Sequence, residues 1–157
     1  MSDSIMYNVR PHLNPTLTSL RSDAIRAGAF FCRPEQVNSV PFVHSFPRNS
    51  CEVVSAFLAI AMQKKYSRST VAVVMAYKSA SNEWHFWVDI DGFIVDATAH
   101  QFAEYEHPLV CVGPSPLETR FPDVERLQPE AALLRMAAID LGVKQSIIAS
   151  LYRELTD

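Results

Sequence analysis

Between Trp84 and Thr98 the chain reads WHFWVDIDGFIVDAT, and this stretch limits the possible folds more than any other. Asp91-Gly92 is a two-residue hairpin signal, because both central positions of such a turn need positive φ. Alternation before the turn puts Trp84, Phe86, Val88 and Ile90 on one face and His85, Trp87 and Asp89 on the other. A two-residue loop then pairs Ile90 with Phe93, Val88 with Val95, Trp87 with Asp96 and His85 with Thr98. In this register Phe93, Val95 and Ala97 join the apolar face, which supports the register independently. His85 and Asp96 fall together on the opposite, mixed face. They are diagonal neighbours, roughly 7–8 Å apart at the backbone, close enough for an imidazole and a carboxylate to hydrogen-bond. A four-residue loop would set them directly opposite each other, and only an odd-length loop would part them.

The most apolar segment precedes the hairpin. A helix is expected to begin at Asn49, with Glu52 as capping-box partner, and to run through Val53, Val54, Ala56, Phe57, Leu58, Ile60 and Ala61. Being apolar almost all round, it belongs at the centre of a domain. TVAVVMAY at 70–77 is a β-branched run of buried-strand type, and a short strand is expected at Leu109 to Val112. Asn14-Pro15 opens a first amphipathic helix over about 15–27, ended by Gly28. Residues 30–48, with Pro34, Pro41 and Pro47, are expected to be ordered but irregular. Past Pro114, Pro116 and Pro122, a helix from Pro129 to Leu141 stopped by Gly142, and another from Lys144 to Leu155, close the chain. The expected fold is α+β over one domain, 1–157: a central helix packed on a small antiparallel β-sheet, with helices at both termini. A length of 157 residues and 48% apolar content suit one buried core.

The net charge of −3 argues against nucleic-acid or anionic-membrane partners, which need a basic field. No apolar run approaches the roughly 20 residues of a membrane span. Three cysteines, Cys32, Cys51 and Cys111, are too few and odd in number for a disulfide framework and suit a reducing compartment. The opening MSDSIMYNVRPHLNPT shows no basic stretch followed by an apolar core, so the expected address is the cytoplasm, or delivery by a signal-independent secretion system.

Cys51 sits in the first turn of the central helix, where unpaired N–H groups and the helix dipole favour a thiolate, the nucleophilic form of cysteine. Alone it would read as a small core residue. His85 oriented by Asp96 changes that, because a histidine held in one tautomer by a carboxylate is what a general base for a thiol requires. Cysteine at the head of a helix, histidine on a following strand and aspartate on the next strand resemble the papain-like and transglutaminase-like thiol enzymes. The matching segments are NSCEVVSAFLAIA and WHFWVDIDGFIVDATAHQF, about residues 46 to 102 with the strand between them. The resemblance implies Cys51 as nucleophile, His85 as base and then acid, and Asp96 as orienter.

The chain also departs from those families. Transglutaminases proper usually carry tryptophan after the nucleophile, where this chain has Glu52. Papain-type peptidases carry an oxyanion-donating glutamine before the cysteine, where this chain offers Arg48, Asn49 and Ser50. The Cys51 backbone N–H is the first oxyanion donor on physical grounds. Asn49, Ser50, Trp87 and Gln101 are the further substrate or oxyanion candidates, with Trp87 either shielding the pair, stacking on substrate or packing under a terminal helix. His100, His107 and Cys111 lack the paired close spacing of a zinc site, so no metal and no cofactor is expected. His44 reads as a surface loop residue, and Cys32 and Cys111 as core. The Leu133, Leu134, Ala137, Leu141 and Ile147, Ile148, Leu151 stripes read as core, with a partner-binding surface as the alternative.

Two function classes follow. One is a thiol-dependent hydrolase of amide bonds (peptidase, amidase or glutamine deamidase) working through an acyl-thioester on Cys51 of a protein or peptide substrate, or an amine-accepting acyltransferase by the same chemistry. The other is a catalytically silent binding domain on the same fold.

Overall fold

A computed structural model describes residues 12–157. Helix α1 spans Leu17–Phe31 and is capped by Thr16, whose Oγ1 accepts the Ser19 N–H at 3.0 Å while Ser19 Oγ accepts the Thr16 N–H at 2.9 Å. This reciprocal cap satisfies two orphan donors and moves the helix start two residues past the expected Asn14-Pro15 pair. The segment expected to be irregular contains a short helix, α2, Pro34–Ser39, opened by a proline at its first position. Helix α3, Cys51–Lys65, is buried without interruption from Val53 to Met62. It packs against both terminal helices and the sheet, as an all-round apolar helix must.

The sheet has five antiparallel strands, β1 Val71–Lys78, β2 Glu83–Ile90, β3 Phe93–Asp96, β4 Leu109–Val112 and β5 Asp123–Leu127, in the order β4-β3-β2-β1-β5. The β2–β3 ladder pairs Ile90 with Phe93 and Val88 with Val95, the register expected from the turn. Asp91 and Gly92 both have positive φ, 51° and 85°, the geometry that matches the twist of the flanking strands. Strand β5 lacks apolar alternation, so no sequence signal marks it. It is an exposed, charged edge strand held by main-chain pairing to β1.

Two corrections fall at the C-terminus. The stretch expected as one helix to Leu141 ends early: α4 is Pro129–Leu134, and the chain then turns so that Met136 and Ile139 bury. Helix α5, Leu141–Thr156, begins where a stop was expected, because Asp140 caps it by accepting the Gly142 N–H at 2.9 Å. Gly142 lies inside the first turn of α5 and terminates nothing.

The two faces of the sheet are covered differently. Val73, Met75, Phe86, Val88, Ile90 and Val95 share one core with α1, α3 and α5. Val74, Ala76, Trp87 and Ile94 face a second, smaller core closed by Phe102, Leu117 and Phe121 from the segment between β3 and β5. His85 and Asp96 belong to the strand positions of this second face and are completely buried.

Candidate functional site

The site is assembled from three elements. Cys51 is the first residue of α3 and is half-buried. Its N-cap is Ser50, one residue later than the expected Asn49, and no side chain caps it. The expected capping box is absent: Asn49 is at φ 57° and exposed, and Glu52 pairs instead with Arg135 at 2.9 Å. The first-turn N–H groups beside Cys51 therefore have neither an intrahelical nor a capping partner among the described residues. The positive end of the helix dipole lies at this first turn.

His85 Nε2 lies 2.7 Å from Asp96 Oδ2, both side chains fully buried. The pair comes from the hairpin register, with Asp96 ending β3. The β2–β3 ladder stops at Val88–Val95, so the sheet is open beside His85. Cys51 packs against the helix-side core and is close enough to the imidazole to favour its charged form. Burial alone would push the His85 pKa down. The Asp96 carboxylate overrides it by charge and hydrogen bond, Cys51 adds to it, and the pKa rises to about 9. Because Nε2 is taken by Asp96, Nδ1 is the ring nitrogen open to other groups.

The Asp96 carboxylate is itself held. Its Oδ1 accepts the Thr98 N–H at 3.2 Å and the Thr98 hydroxyl at 3.4 Å. Gln101, half-buried in the 3-10 turn Ala99–Gln101, places its amide nitrogen 3.2 Å from His85 Nδ1 and 3.5 Å from Thr98 Oγ1. Rings close the remaining sides: Phe102 stands edge-on to His85 at 4.9 Å, with Phe121 at 5.7 Å and Trp87 at 5.9 Å. Arg120 lies 4.4 Å from the Phe102 ring and seals this wall from outside.

Among the remaining candidates, Ser50 is buried and its hydroxyl donates to the Pro47 carbonyl at 2.9 Å, which spends its hydrogen. Trp87 is fully buried under Leu117 and Phe121 rather than under a terminal helix, and its Nε1 has no partner among the described residues. Asn49, Glu52 and Val53 line a cavity of about 290 Å³ with Phe42, Arg135 and Met136. Phe42, like Asn49, has positive φ, at 68°, a conformation that costs free energy for a bulky side chain.

Sequence reasoning missed Thr98, Phe102, Arg120 and Phe121. Only Thr98 left a trace, since the register set it opposite His85. Cys32 was expected in the core and is exposed at the end of α1, whereas Cys111 is half-buried. Burial pushes the Cys111 thiol up and Asp96 adds to that shift, and packing around the Cys32 sulfur raises it too, although the residue as a whole is exposed. No group of three or more His, Cys, Asp or Glu placed to hold a metal ion occurs among the described residues. No described helix is long and apolar enough to cross a membrane.

No family model matches the chain, and no curated protein matches it. A crystal structure of a genomics target is similar over 92% of this chain and 82% of that one, at 18% identity and a TM-score of 0.40. That degree of likeness leaves both family and chemistry open.

Proposed function

We propose that this protein is a thiol-dependent hydrolase of amide bonds that acts through an acyl-thioester on Cys51, as its resemblance to papain-like and transglutaminase-like enzymes implies. One observation carries the reading. A fully buried His85–Asp96 pair stands at the head of an uncapped buried helix whose first residue is a half-buried cysteine that interacts with the same imidazole.

The chemistry follows from that arrangement. Nδ1 takes the Cys51 proton as sulfur bonds to the substrate carbonyl carbon, and the carbonyl π pair moves onto oxygen. The unpaired N–H groups of the first turn of α3 receive that oxyanion. Collapse of the intermediate breaks the C–N bond, and the proton on Nδ1 passes to the leaving amine. Water then attacks the thioester, gives its proton to Nδ1 and releases the acid. The thiolate finally recovers that proton. A peptidase, an amidase and a glutamine deamidase all share these steps, and an amine in place of water would make the product a new amide.

His85 and Asp96 are sealed under aromatic rings, so substrate would approach from the Cys51 side. The cavity lined by Glu52 and Val53, which follow Cys51 in α3, is a candidate place for a substrate side chain.

An activated ester tests the reading. Incubation with p-nitrophenyl acetate should release one equivalent of nitrophenolate in a burst and leave one acetyl group on Cys51 by peptide mass mapping. Cys51→Ala should show neither. Acetylation spread evenly over Cys32, Cys51 and Cys111 in the folded protein would refute it.

A further inference from the structure

Each ring nitrogen of His85 meets a polar side chain, and the second contact has a direction that can be worked out. Nε2 is 2.7 Å from Asp96 Oδ2, and Nδ1 is 3.2 Å from the Gln101 amide nitrogen. The two ends of an amide are nearly alike in shape, so the other partner of the amide decides which end faces the ring. That partner is Thr98. A carboxylate only accepts, so the Thr98 hydroxyl hydrogen goes to Asp96 Oδ1 at 3.4 Å. With its hydrogen spent, the hydroxyl oxygen accepts, and it accepts the Gln101 N–H at 3.5 Å. Donation therefore runs from Gln101 to Thr98 to Asp96, which turns the amino end of Gln101 toward Nδ1.

An N–H can be donated to Nδ1 only while that nitrogen keeps its lone pair. We propose that Gln101 is a positioning residue that favours the neutral form of His85, with the ring proton on Nε2, by donating an amide N–H to Nδ1 under the direction of Thr98. Asp96 thus acts on both nitrogens, directly on Nε2 and through Thr98 and Gln101 on Nδ1. The groups that face the ring and favour the imidazolium are Asp96 from β3 and Cys51 from α3. Trp87, Phe102 and Phe121 are uncharged, and Arg120 and Glu104 pair with each other at 3.7 Å outside those rings. The Gln101 contact opposes both Asp96 and Cys51, because it is lost once Nδ1 is protonated. The consequence for catalysis rests on the thiol-hydrolase reading: Nδ1 has one lone pair, so the Gln101 N–H must give way before that nitrogen takes the Cys51 proton.

The proton itself is measured in Cys51→Ala protein, where no thiol competes for Nδ1, by following the His85 ring nitrogens by NMR across pH. Gln101→Met should raise the His85 midpoint by up to about one pH unit, the worth of one hydrogen bond to the neutral form. Gln101→Glu, which can only accept, should raise it further. Thr98→Val should raise it too, and Thr98→Ser should return it to the parent value. A midpoint that stays fixed or falls in Gln101→Met would overturn the proposal, since it would mean that the amide oxygen faces a protonated Nδ1. With Cys51 present, Gln101→Met should move the acid limb of iodoacetamide alkylation to lower pH by the same amount. Absence of preferential Cys51 alkylation in the parent protein would count against the hydrolase reading alone, because the His85 midpoint decides the role of Gln101 without it.

Discussion

The Asp96 carboxylate does two things at the residue scale. It holds the imidazole by Nε2, and it supplies the buried negative charge that an imidazolium needs. Asp96→Asn preserves the shape and removes that charge. Esterase turnover on p-nitrophenyl acetate should fall by about 10² to 10⁴, the usual worth of positioned acid–base catalysis, while circular dichroism stays that of the parent. Retained turnover in a folded Asp96→Asn protein would remove Asp96 from the chemistry. The three thiols offer a second measurement. Burial raises Cys32 and Cys111, whereas Cys51 has a helix N-terminus and an imidazole beside it, so iodoacetamide at pH 6 to 7 should label Cys51 first. Equal rates for all three would show that Cys51 is not activated.

Among the elements, the hairpin was the most legible and the polar joint between the helices the least. Alternation and a two-residue turn are local, so the pairing of Val88–Ile90 with Phe93–Val95 could be read in register from sequence, whereas the expected Trp87–Asp96 and His85–Thr98 pairs lie beyond the ladder. Asp23 gave no such signal. It is an acid on the buried face of α1, and it accepts the Lys65 ammonium at 2.6 Å and the Tyr66 hydroxyl at 2.6 Å from the end of α3. Lys65 also donates to the Leu155 carbonyl of α5 at 2.9 Å, so one cluster joins three helices. Burial raises the Tyr66 phenol pKa well above its ordinary range, and the hydrogen bond to Asp23 adds to that. Asp23→Ala strands the ammonium and the phenol and should cost about 3 kcal/mol in urea unfolding; a loss under 1 kcal/mol would mean that water satisfies both groups. Gly92→Ala tests a different element. Its Cβ would meet nothing, so the cost is the φ of 85° alone, about 1 kcal/mol. Strand β5 and the α4–α5 break were illegible for a related reason: one is held by main-chain pairing and the other by Asp140, and neither leaves a periodic trace.

At the scale of the whole molecule, one ring gathers contributions from α3, β2, β3 and the segment that follows β3. That covering segment could not be read in advance. Phe102 and Phe121 are far apart in sequence and reach His85 only because the chain between β3 and β5 folds over one face of the sheet. The same convergence ties the protonation of His85 to global stability. The ordinary pKa of histidine is about 6.5 and the folded value is about 9, so the folded state binds this proton more tightly than the unfolded chain does. Its stabilising contribution is therefore complete below about pH 6.5 and is lost as pH rises through about 9. Urea midpoints of the parent protein should decline over that window. In Asp96→Asn the main cause of the raised pKa is gone, and the decline should flatten, with the two curves converging toward the alkaline end. Parallel curves from pH 6 to 9.5 would mean that His85 takes up its proton no more readily in the folded state than in the unfolded one, and that the buried pair is held by its neutral hydrogen bond alone.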